Sequence, residues 1–209
     1  MASVAALEPW LEEVVPLPDG ELRILRPPDA DALITEEAFE REEFLPYWAS
    51  LWPSATALAR LVSRRALRGA RTLELGCGLG LPSIAAARAG ARVTASDWSA
   101  AAVAAARENA TLNGVRLETL VCPWAEPTRL IEAGPWELLL ASDVLYEPRN
   151  GDQLLELLPR LIGGHTELLL ADPDRPPAES FLERARERFG VGSTLLSERP
   201  RVSLHRLRR

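Results

Sequence analysis

The segment LELGCGLGLPSIAAARAGARVTASD, from Leu73 to Asp97, decides the fold of this 209-residue chain. It sets a glycine-rich turn between two apolar runs that have the length of buried strands, and a helical pattern follows the turn. Glycines at positions 76, 78 and 80 suit a backbone that comes close to a ligand, because a Cβ would block the approach. This order of strand, glycine turn and helix predicts a nucleoside-cofactor site in an α/β protein.

Strand and helix patterns continue to alternate after this segment. The sequence predicts strands within VRLETLVC (115–122), PWELLLASDVLY (135–146) and HTELLLAD (165–172), with helices between them. Two closing strands, 191–197 and 201–209, follow a last helix over 177–190. Such alternation indicates a mainly parallel sheet with helices on both faces.

The segment before the first core strand has its own pattern. VVPLPDGELRIL (14–25) alternates apolar and polar residues around a Pro-Asp-Gly turn, which predicts a β-hairpin. An acidic stretch to about Glu43 reads as helical, and Pro53 then begins a helix whose apolar spacing extends to Gly69. We predict one domain over 1–209, with 1–69 as an N-terminal extension and 70–209 as the core.

Composition excludes several classes of protein. The chain is 47% apolar and 26% charged, and it has no apolar run of the length that spans a bilayer. A formal charge of −6 speaks against general affinity for nucleic acid, and all 24 basic residues are arginine. The first residues do not have the pattern of a secretory signal, and Cys77 and Cys122 suit reduced thiols, so we expect a cytoplasmic protein.

The spacing of the glycines bears on the cofactor. A dinucleotide fold requires G-x-G-x-x-G, but the third position of that pattern is Leu81 here, which disfavours a nicotinamide or flavin cofactor. Asp97, at the end of the next strand, is placed to accept two ribose hydroxyl groups with either kind of cofactor. The alternative for Asp97 is an N-cap of the following helix.

Several motifs together resemble the class I S-adenosylmethionine-dependent methyltransferases. ELGCGLGLPSIAAARAGA and VTASD are similar to their first two motifs. LWPSATALARLV, CPWAEP and ASDVLY resemble the family 16 group, which contains many protein-lysine methyltransferases. ADPDRP is similar to the DPxRP element of the electron-transfer-flavoprotein β-subunit lysine methyltransferases, and the resemblance covers about 46–177.

The resemblance implies a Rossmann-like seven-stranded sheet, mostly parallel with an antiparallel C-terminal strand, and S-adenosyl-L-methionine as the cofactor. It assigns the backbone of Gly76, Gly78 and Gly80 to the methionine and ribose portions of that cofactor. Glu74 lies beneath the amino-acid end, and Asp97 binds the ribose. The N-terminal extension, 1–69, then becomes a lid over cofactor and substrate, and 70–209 the catalytic core.

Tryptophans complete the cofactor site that the resemblance implies. Trp52 closes the pocket from the N-terminal side, whereas Trp124 and the backbone near Ala141 flank adenine. Pro123 stands where many relatives have Asp, so the polar contact to the adenine amine falls to a backbone group or to water. Trp98 is a further cofactor candidate with core packing as its alternative, and packing is the prediction for the tryptophans at 10, 48 and 136.

Asp143 and Tyr146, within SDVLY, are the candidate catalytic residues. The motif differs from the Asn/Asp-Pro-Pro-aromatic signature of enzymes that methylate planar nitrogens, and the resemblance implies a protein lysine as the acceptor. Asp143 then orients the nitrogen and Tyr146 lines the channel; the alternatives are a loop cap and core packing. Asp172 and Arg175 brace the rim, where Arg175 either binds a substrate carboxylate or forms a structural ion pair.

Other functions remain open at the level of sequence. The acceptor is alternatively a small amine or a nicotinamide-like metabolite. A non-catalytic module that binds S-adenosylmethionine is a further hypothesis, and a nicotinamide-dependent oxidoreductase is the one that the glycine spacing disfavours. Residue patterns leave the acceptor, the number of methyl groups and the oligomeric state undetermined, since function lies in the site rather than in the fold.

Overall fold

The computed structural model describes residues 10–30 and 46–209. Near its N-terminal end, strands β1 (Leu11–Leu17) and β2 (Gly20–Arg26) pair antiparallel as the predicted hairpin. The acidic stretch to Glu43, predicted to be helical, lies largely outside the described residues. No helix in the two described ranges has the length and apolar character needed to cross a membrane.

A seven-stranded sheet forms the centre of the molecule. Its strands are β3 (Arg71–Leu75), β4 (Arg92–Asp97), β5 (Glu118–Val121), β6 (Leu138–Ser142), β7 (Glu167–Asp172), β8 (Gly190–Glu198) and β9 (Arg201–Arg208). They lie in the order β5-β4-β3-β6-β7-β9-β8. Strand β9 runs in the opposite direction to the other six strands and pairs antiparallel with β7 and with β8. The predicted seven-stranded Rossmann-like sheet with an antiparallel C-terminal strand is confirmed.

Helices cover both faces of this sheet. The described helices are α1 (Pro53–Val62), α2 (Leu81–Arg88), α3 (Ala100–Leu112), α4 (Thr128–Glu132), α5 (Pro148–Leu161) and α6 (Pro176–Ala185). Successive side chains of β6 point to opposite faces, as the pleat requires. Leu139 packs in the cluster that contains Leu154 of α5 and Phe181 of α6, whereas Leu140 packs with Leu58 of α1.

Several predicted boundaries differ from the structure. The last predicted helix, over 177–190, ends at Ala185, and Gly190 already begins β8. Helix α1 ends at Val62 rather than near Gly69, because the chain turns there and pairs with the end of α2. The Leu67 N–H donates to the Ala89 carbonyl (3.0 Å) and the Gly69 N–H to the Gly90 carbonyl (2.7 Å). Strand β5 is confined to Glu118–Val121, where it pairs with β4, and the short helix α4 was not predicted.

The strand order explains where a ligand site forms. From β3 the chain proceeds outward through β4 and β5 and then returns to β6 on the other side of β3. Loops at the carboxyl ends of β3 and β6 therefore lead away from each other and leave a crevice between them. The glycine turn after β3 and the Asp143 loop after β6 both lie at this crevice.

A buried asparagine joins the hairpin to the glycine turn. Asn109 of α3 is fully buried, and its amide nitrogen donates to the carbonyls of Leu79 (3.0 Å) and Leu25 (3.1 Å). Its side-chain oxygen accepts from the Leu25 N–H at 2.7 Å. Asn109 of α3 thus links the hairpin to the predicted cofactor turn.

Replacing Asn109 by alanine is expected to lower the free energy of unfolding by about 2–3 kcal/mol, because buried backbone groups lose their partners. Chemical denaturation followed by circular dichroism measures this change. Asn113→Ala is the matched control: Asn113 bonds Arg23 of the hairpin at a solvent-exposed position, where a loss below about 1 kcal/mol is expected. Equal losses in the two variants would contradict the anchoring role of Asn109.

Candidate active site

The glycine turn is built from backbone that other residues adopt poorly. Gly76, Gly78 and Gly80 have φ angles of 69°, 50° and 83°, all in the left-handed region. A Cβ on Gly80 would lie 2.9 Å from the Cβ of Ala106, and one on Gly78 would lie 3.3 Å from the Trp48 carbonyl oxygen. A side chain at either position would therefore collide with neighbouring protein atoms, so the turn can follow this course only with glycine there.

A cavity of about 440 Å³ opens beside this turn. Nine of the eleven predicted site residues line it: Trp52, Gly76, Gly78, Gly80, Asp97, Trp98, Trp124, Asp143 and Tyr146. Glu74 and Ala141 do not belong to the lining. Ala141 lies inside β6, between Leu75 of β3 and Leu170 of β7, and the following residue, Ser142, reaches the cavity instead.

Glu74 lies buried beneath the glycine turn. Its Oε2 accepts bonds from the backbone N–H (2.9 Å) and the hydroxyl of Ser83. No described residue bonds its Oε1. Burial raises the pKa of Glu74 to about 8, so this carboxyl retains its proton at neutral pH.

The raised pKa of Glu74 predicts a pH dependence of stability. The folded state binds a proton more tightly than the unfolded chain, so this stabilisation is complete below about pH 4.5 and is lost as the pH rises through about 8. Between pH 7 and 9 the loss is about 1.4 kcal/mol. Glu74→Gln keeps an acceptor for Ser83 but cannot ionise, so its melting temperature should fall less over this interval. Identical pH profiles for both proteins would contradict the assignment.

Asp97 ends β4 and faces the turn. Its Oδ2 accepts from the Gly78 N–H at 3.0 Å and its Oδ1 from the Ser99 N–H at 2.9 Å. Burial raises its pKa to about 6, and these bonds oppose the shift, which leaves the carboxylate mainly ionised at neutral pH. The N-cap of α3 is Ser99, whose hydroxyl accepts from the Ala102 N–H, so the N-cap alternative for Asp97 is wrong.

Aromatic side chains form the outer wall of the cavity. The Trp52 indole N–H donates to the Tyr47 carbonyl at 2.8 Å, and the Tyr47 ring centroid lies 5.0 Å from that of Tyr146. Tyr146 is 36% exposed, which excludes the core-packing alternative for it. Tyr47 was missed in the sequence, although it lies within the YWASLW stretch next to Trp52. Trp48 packs against the hairpin core as predicted, and it also lines the cavity.

Asp143 lies in an ionic cluster at the carboxyl ends of β6 and β7. Its φ of 56° is left-handed, and its backbone N–H donates to the Ala171 carbonyl at 3.0 Å. Arg175 donates through Nη1 to Asp143 Oδ1 at 2.6 Å, and the same nitrogen lies 3.8 Å from Asp172 Oδ2. Arg175 therefore forms an ion pair with Asp143, which is one of the two alternatives stated for it.

Both acids of this cluster are deeply buried. The side chains of Asp143 and Asp172 are 5% and 0% exposed, and the Oδ2 of each has no hydrogen-bond partner among the described residues. Asp172 Oδ1 accepts from the Arg175 backbone N–H at 2.9 Å. Burial raises the pKa of Asp172 to about 6. The cluster thus sets two buried acids against one guanidinium.

The fold and the cavity together define a Rossmann-like methyltransferase. The chain belongs to the lysine methyltransferase family, whose pattern matches residues 42–188. S-adenosyl-L-methionine is the cofactor, and the residues present fit it. The glycine turn and Asp97 line a cavity of about 440 Å³, and the buried Glu74 Oε1 has no partner in the described part of the chain.

The relatives of this chain are named for different activities. The chain is 39% identical over 134 residues to an electron transfer flavoprotein beta subunit lysine methyltransferase of Xenopus laevis, covering 62% of this chain and 53% of that protein. Identity to the protein N-lysine methyltransferase METTL21A of Danio rerio is 34% over 152 residues, covering 68% and 69%. The human histone-arginine methyltransferase METTL23 is 34% identical over 111 residues, covering 50% and 58%.

The covered length and one solved structure show how far these similarities extend. The chain spans about half the length of the electron transfer flavoprotein methyltransferases that it matches. A solved ribosomal protein L11 methylase from Lactobacillus delbrueckii subsp. bulgaricus superposes with a TM-score of 0.61 at 23% identity, covering 77% of this chain and 81% of that one. This structural likeness supports the fold.

Proposed function

We propose that the protein transfers a methyl group from S-adenosyl-L-methionine to the side-chain nitrogen of a lysine in another protein. The observation that carries this proposal is the buried Asp143 carboxylate in the cavity wall, beside Tyr146 and close to the glycine turn. A negatively charged, aromatic-lined wall suits an acceptor that arrives as a cation. Membership of the lysine methyltransferase family supports the same acceptor.

The residues of the turn hold the cofactor in this proposal. Gly76, Gly78 and Gly80 present backbone to its methionine and ribose portions, Asp97 accepts bonds from the ribose hydroxyls, and Glu74 supports the turn from below. A carboxylate has about four acceptor positions, so Asp97 has capacity left after its two bonds to backbone N–H groups.

The adenine end of the cofactor lies among Pro123, Trp124 and Ser142 in this proposal. All three residues line the cavity. Pro123 has no side-chain donor or acceptor, so the adenine amine bonds to backbone or water. Trp52 closes the cavity from the N-terminal side and excludes water.

The chemistry requires alignment more than acid–base catalysis. S-adenosyl-L-methionine supplies a methyl group on a sulfonium, and transfer is an in-line displacement that aligned binding and water exclusion accelerate. A lysine amine has a pKa near about 10.4 and must lose its proton before attack. Asp143 orients the nitrogen, burial among Tyr47 and Tyr146 favours the neutral amine, and the proton leaves to solvent.

The location and the partners form a separate proposal. We propose a cytoplasmic protein that acts on a protein partner and has no general affinity for nucleic acid. The formal charge of −6 supports the last of these three points, because nucleic-acid binding depends on neutralising many phosphates.

Incubation with methyl-labelled S-adenosyl-L-methionine and a cell lysate tests the proposed function. We expect label in a discrete protein band, with methyllysine recovered after acid hydrolysis. The chain itself is an internal control, since it has 24 arginines and no lysine. Label in its own band, or methylarginine in the hydrolysate, would point to arginine chemistry, and label confined to small molecules would point to a small-amine acceptor. Either result would overturn lysine as the acceptor.

A further inference from the structure

The cluster of Asp143, Asp172 and Arg175 is incomplete as it stands. Two buried carboxylates face one guanidinium, which leaves one negative charge uncompensated within the cluster. Buried charges in proteins are ordinarily paired, and buried polar atoms ordinarily have partners. Here one oxygen of each acid has no partner among the residues that the structure describes. A cation with N–H donors would supply both the opposite charge and a hydrogen-bond partner for one of these oxygens.

Asp143 is the member of this cluster that can reach such a group. It lines the cavity, whereas Asp172 and Arg175 do not belong to the lining. The terminal torsion of an aspartate is broad, so a small rotation exchanges the two oxygens while Arg175 keeps one of them. A cationic acceptor in the cavity would therefore meet Asp143 and not Arg175.

Arg175 connects three parts of the site. Its Nη1 lies 2.6 Å from Asp143 after β6, and its backbone N–H bonds Asp172 at the end of β7. Its guanidinium carbon lies 5.8 Å from the ring centroid of Trp52, which precedes α1. The Arg175 side chain is 28% exposed, so it contacts both Asp143 and the Trp52 ring while remaining partly open to solvent.

We propose that Arg175 is a positioning residue that acts through Asp143. It holds this carboxylate at the cavity wall with one oxygen engaged and the other buried without a partner among the described residues. A small rotation of the carboxylate then presents an oxygen to an ammonium acceptor while Arg175 keeps its bond. The charge left over in the cluster then selects an acceptor that arrives as a cation. This inference rests on the proposed methylation of an amine, and it assigns Arg175 no contact with the substrate.

A double-mutant cycle tests the inference. Arg175→Met is combined with Asp143→Asn, and initial rates of label transfer are measured together with S-adenosylhomocysteine affinity by calorimetry. We expect Arg175→Met to slow transfer about 100-fold in the unaltered background but less than about threefold when Asp143 is already Asn, because coupled residues are not additive. The S-adenosylhomocysteine affinity should change by less than about fivefold, since Arg175 is not in the cavity lining and only its contact with the Trp52 ring is lost.

Two further variants separate positioning from folding. Arg175→Lys keeps a cation near Asp143. Because a single nitrogen of Arg175 bonds Asp143 Oδ1, we expect the Lys variant to transfer methyl groups about tenfold faster than Arg175→Met. Arg184→Met is the matched control, since Arg184 pairs with Asp152 at an exposed position away from the cavity and should transfer at the normal rate. Circular dichroism sets an assay temperature at which every variant is folded.

Three results would overturn the inference. Losses that multiply independently in the cycle would mean that Arg175 does not act through Asp143. A raised KM with unchanged kcat on the purified acceptor would indicate direct substrate binding, and a tenfold loss of S-adenosylhomocysteine affinity would place Arg175 in cofactor binding. The cycle is measured with whichever acceptor the unaltered protein labels. If that acceptor is a small amine, the proposed lysine acceptor is wrong but the inference on Arg175 can still be tested. Absence of transfer to every fraction overturns both.

Discussion

Replacing Asp143 by alanine is expected to lower the rate of methyl transfer by about 1000-fold or more. The variant loses the carboxylate that orients the acceptor and leaves the partly buried Arg175 without its closest partner. Misplacing an acceptor at the reacting centre forfeits much of the advantage of alignment, which is worth several kcal/mol. Affinity for S-adenosylhomocysteine should change by less than about threefold, because Asp97 and the glycine turn remain intact.

Asp143→Asn separates the loss of charge from backbone strain. The φ of 56° at this position is costly for alanine but tolerated by asparagine, so the Asn variant should fold normally and still transfer slowly. Asp152→Ala, at an exposed acid of α5, is the control with an unchanged rate. Radiolabel transfer and calorimetry on the same preparations measure both quantities. A normal rate in either Asp143 variant would remove the role proposed for this residue.

Replacing Asp97 by alanine is expected to weaken cofactor binding by about 100-fold or more. Hydrogen bonds to a charged group contribute about 1.5–3 kcal/mol each, and the proposed site has two between this carboxylate and the ribose. The variant also removes the acceptor for the Gly78 N–H, so the turn itself loosens. The rate at saturating cofactor should fall much less than the affinity does.

Calorimetric titration with S-adenosylhomocysteine measures this effect, and NAD serves as the competing ligand. Asp97→Asn retains one oxygen and should lie between the alanine variant and the unaltered protein. If S-adenosylhomocysteine bound the alanine variant with normal affinity, the ribose would not lie at Asp97. Tighter binding of NAD than of S-adenosylhomocysteine to the unaltered protein would contradict the assigned cofactor.

Local patterns explain which parts of the fold were predictable. The alternating strands and helices, the PDG hairpin and the positive φ angles at Gly76, Gly78 and Gly80 each depend on residues close together in the chain. The helix starting at Pro53 belongs to the same group, because proline suits the first turn. The end of that helix was mispredicted, since its apolar spacing continues past Val62, where bonds to Ala89 and Gly90 turn the chain.

The features of the site also fall into those that local sequence predicts and those that depend on distant contacts. The sequence by itself determined the alternation of strands and helices, the glycine turn and the presence of acids at the carboxyl ends of β4, β6 and β7, because such motifs are contiguous. Only the tertiary structure decided that Arg175 pairs with Asp143, 32 residues away, and that Tyr47 stacks near Tyr146. These contacts depend on β6 and β7 lying side by side and on the segment around Tyr47 folding over the crevice. Contacts between elements that are distant in the chain produce no periodic pattern in a single sequence, so local sequence could not predict them.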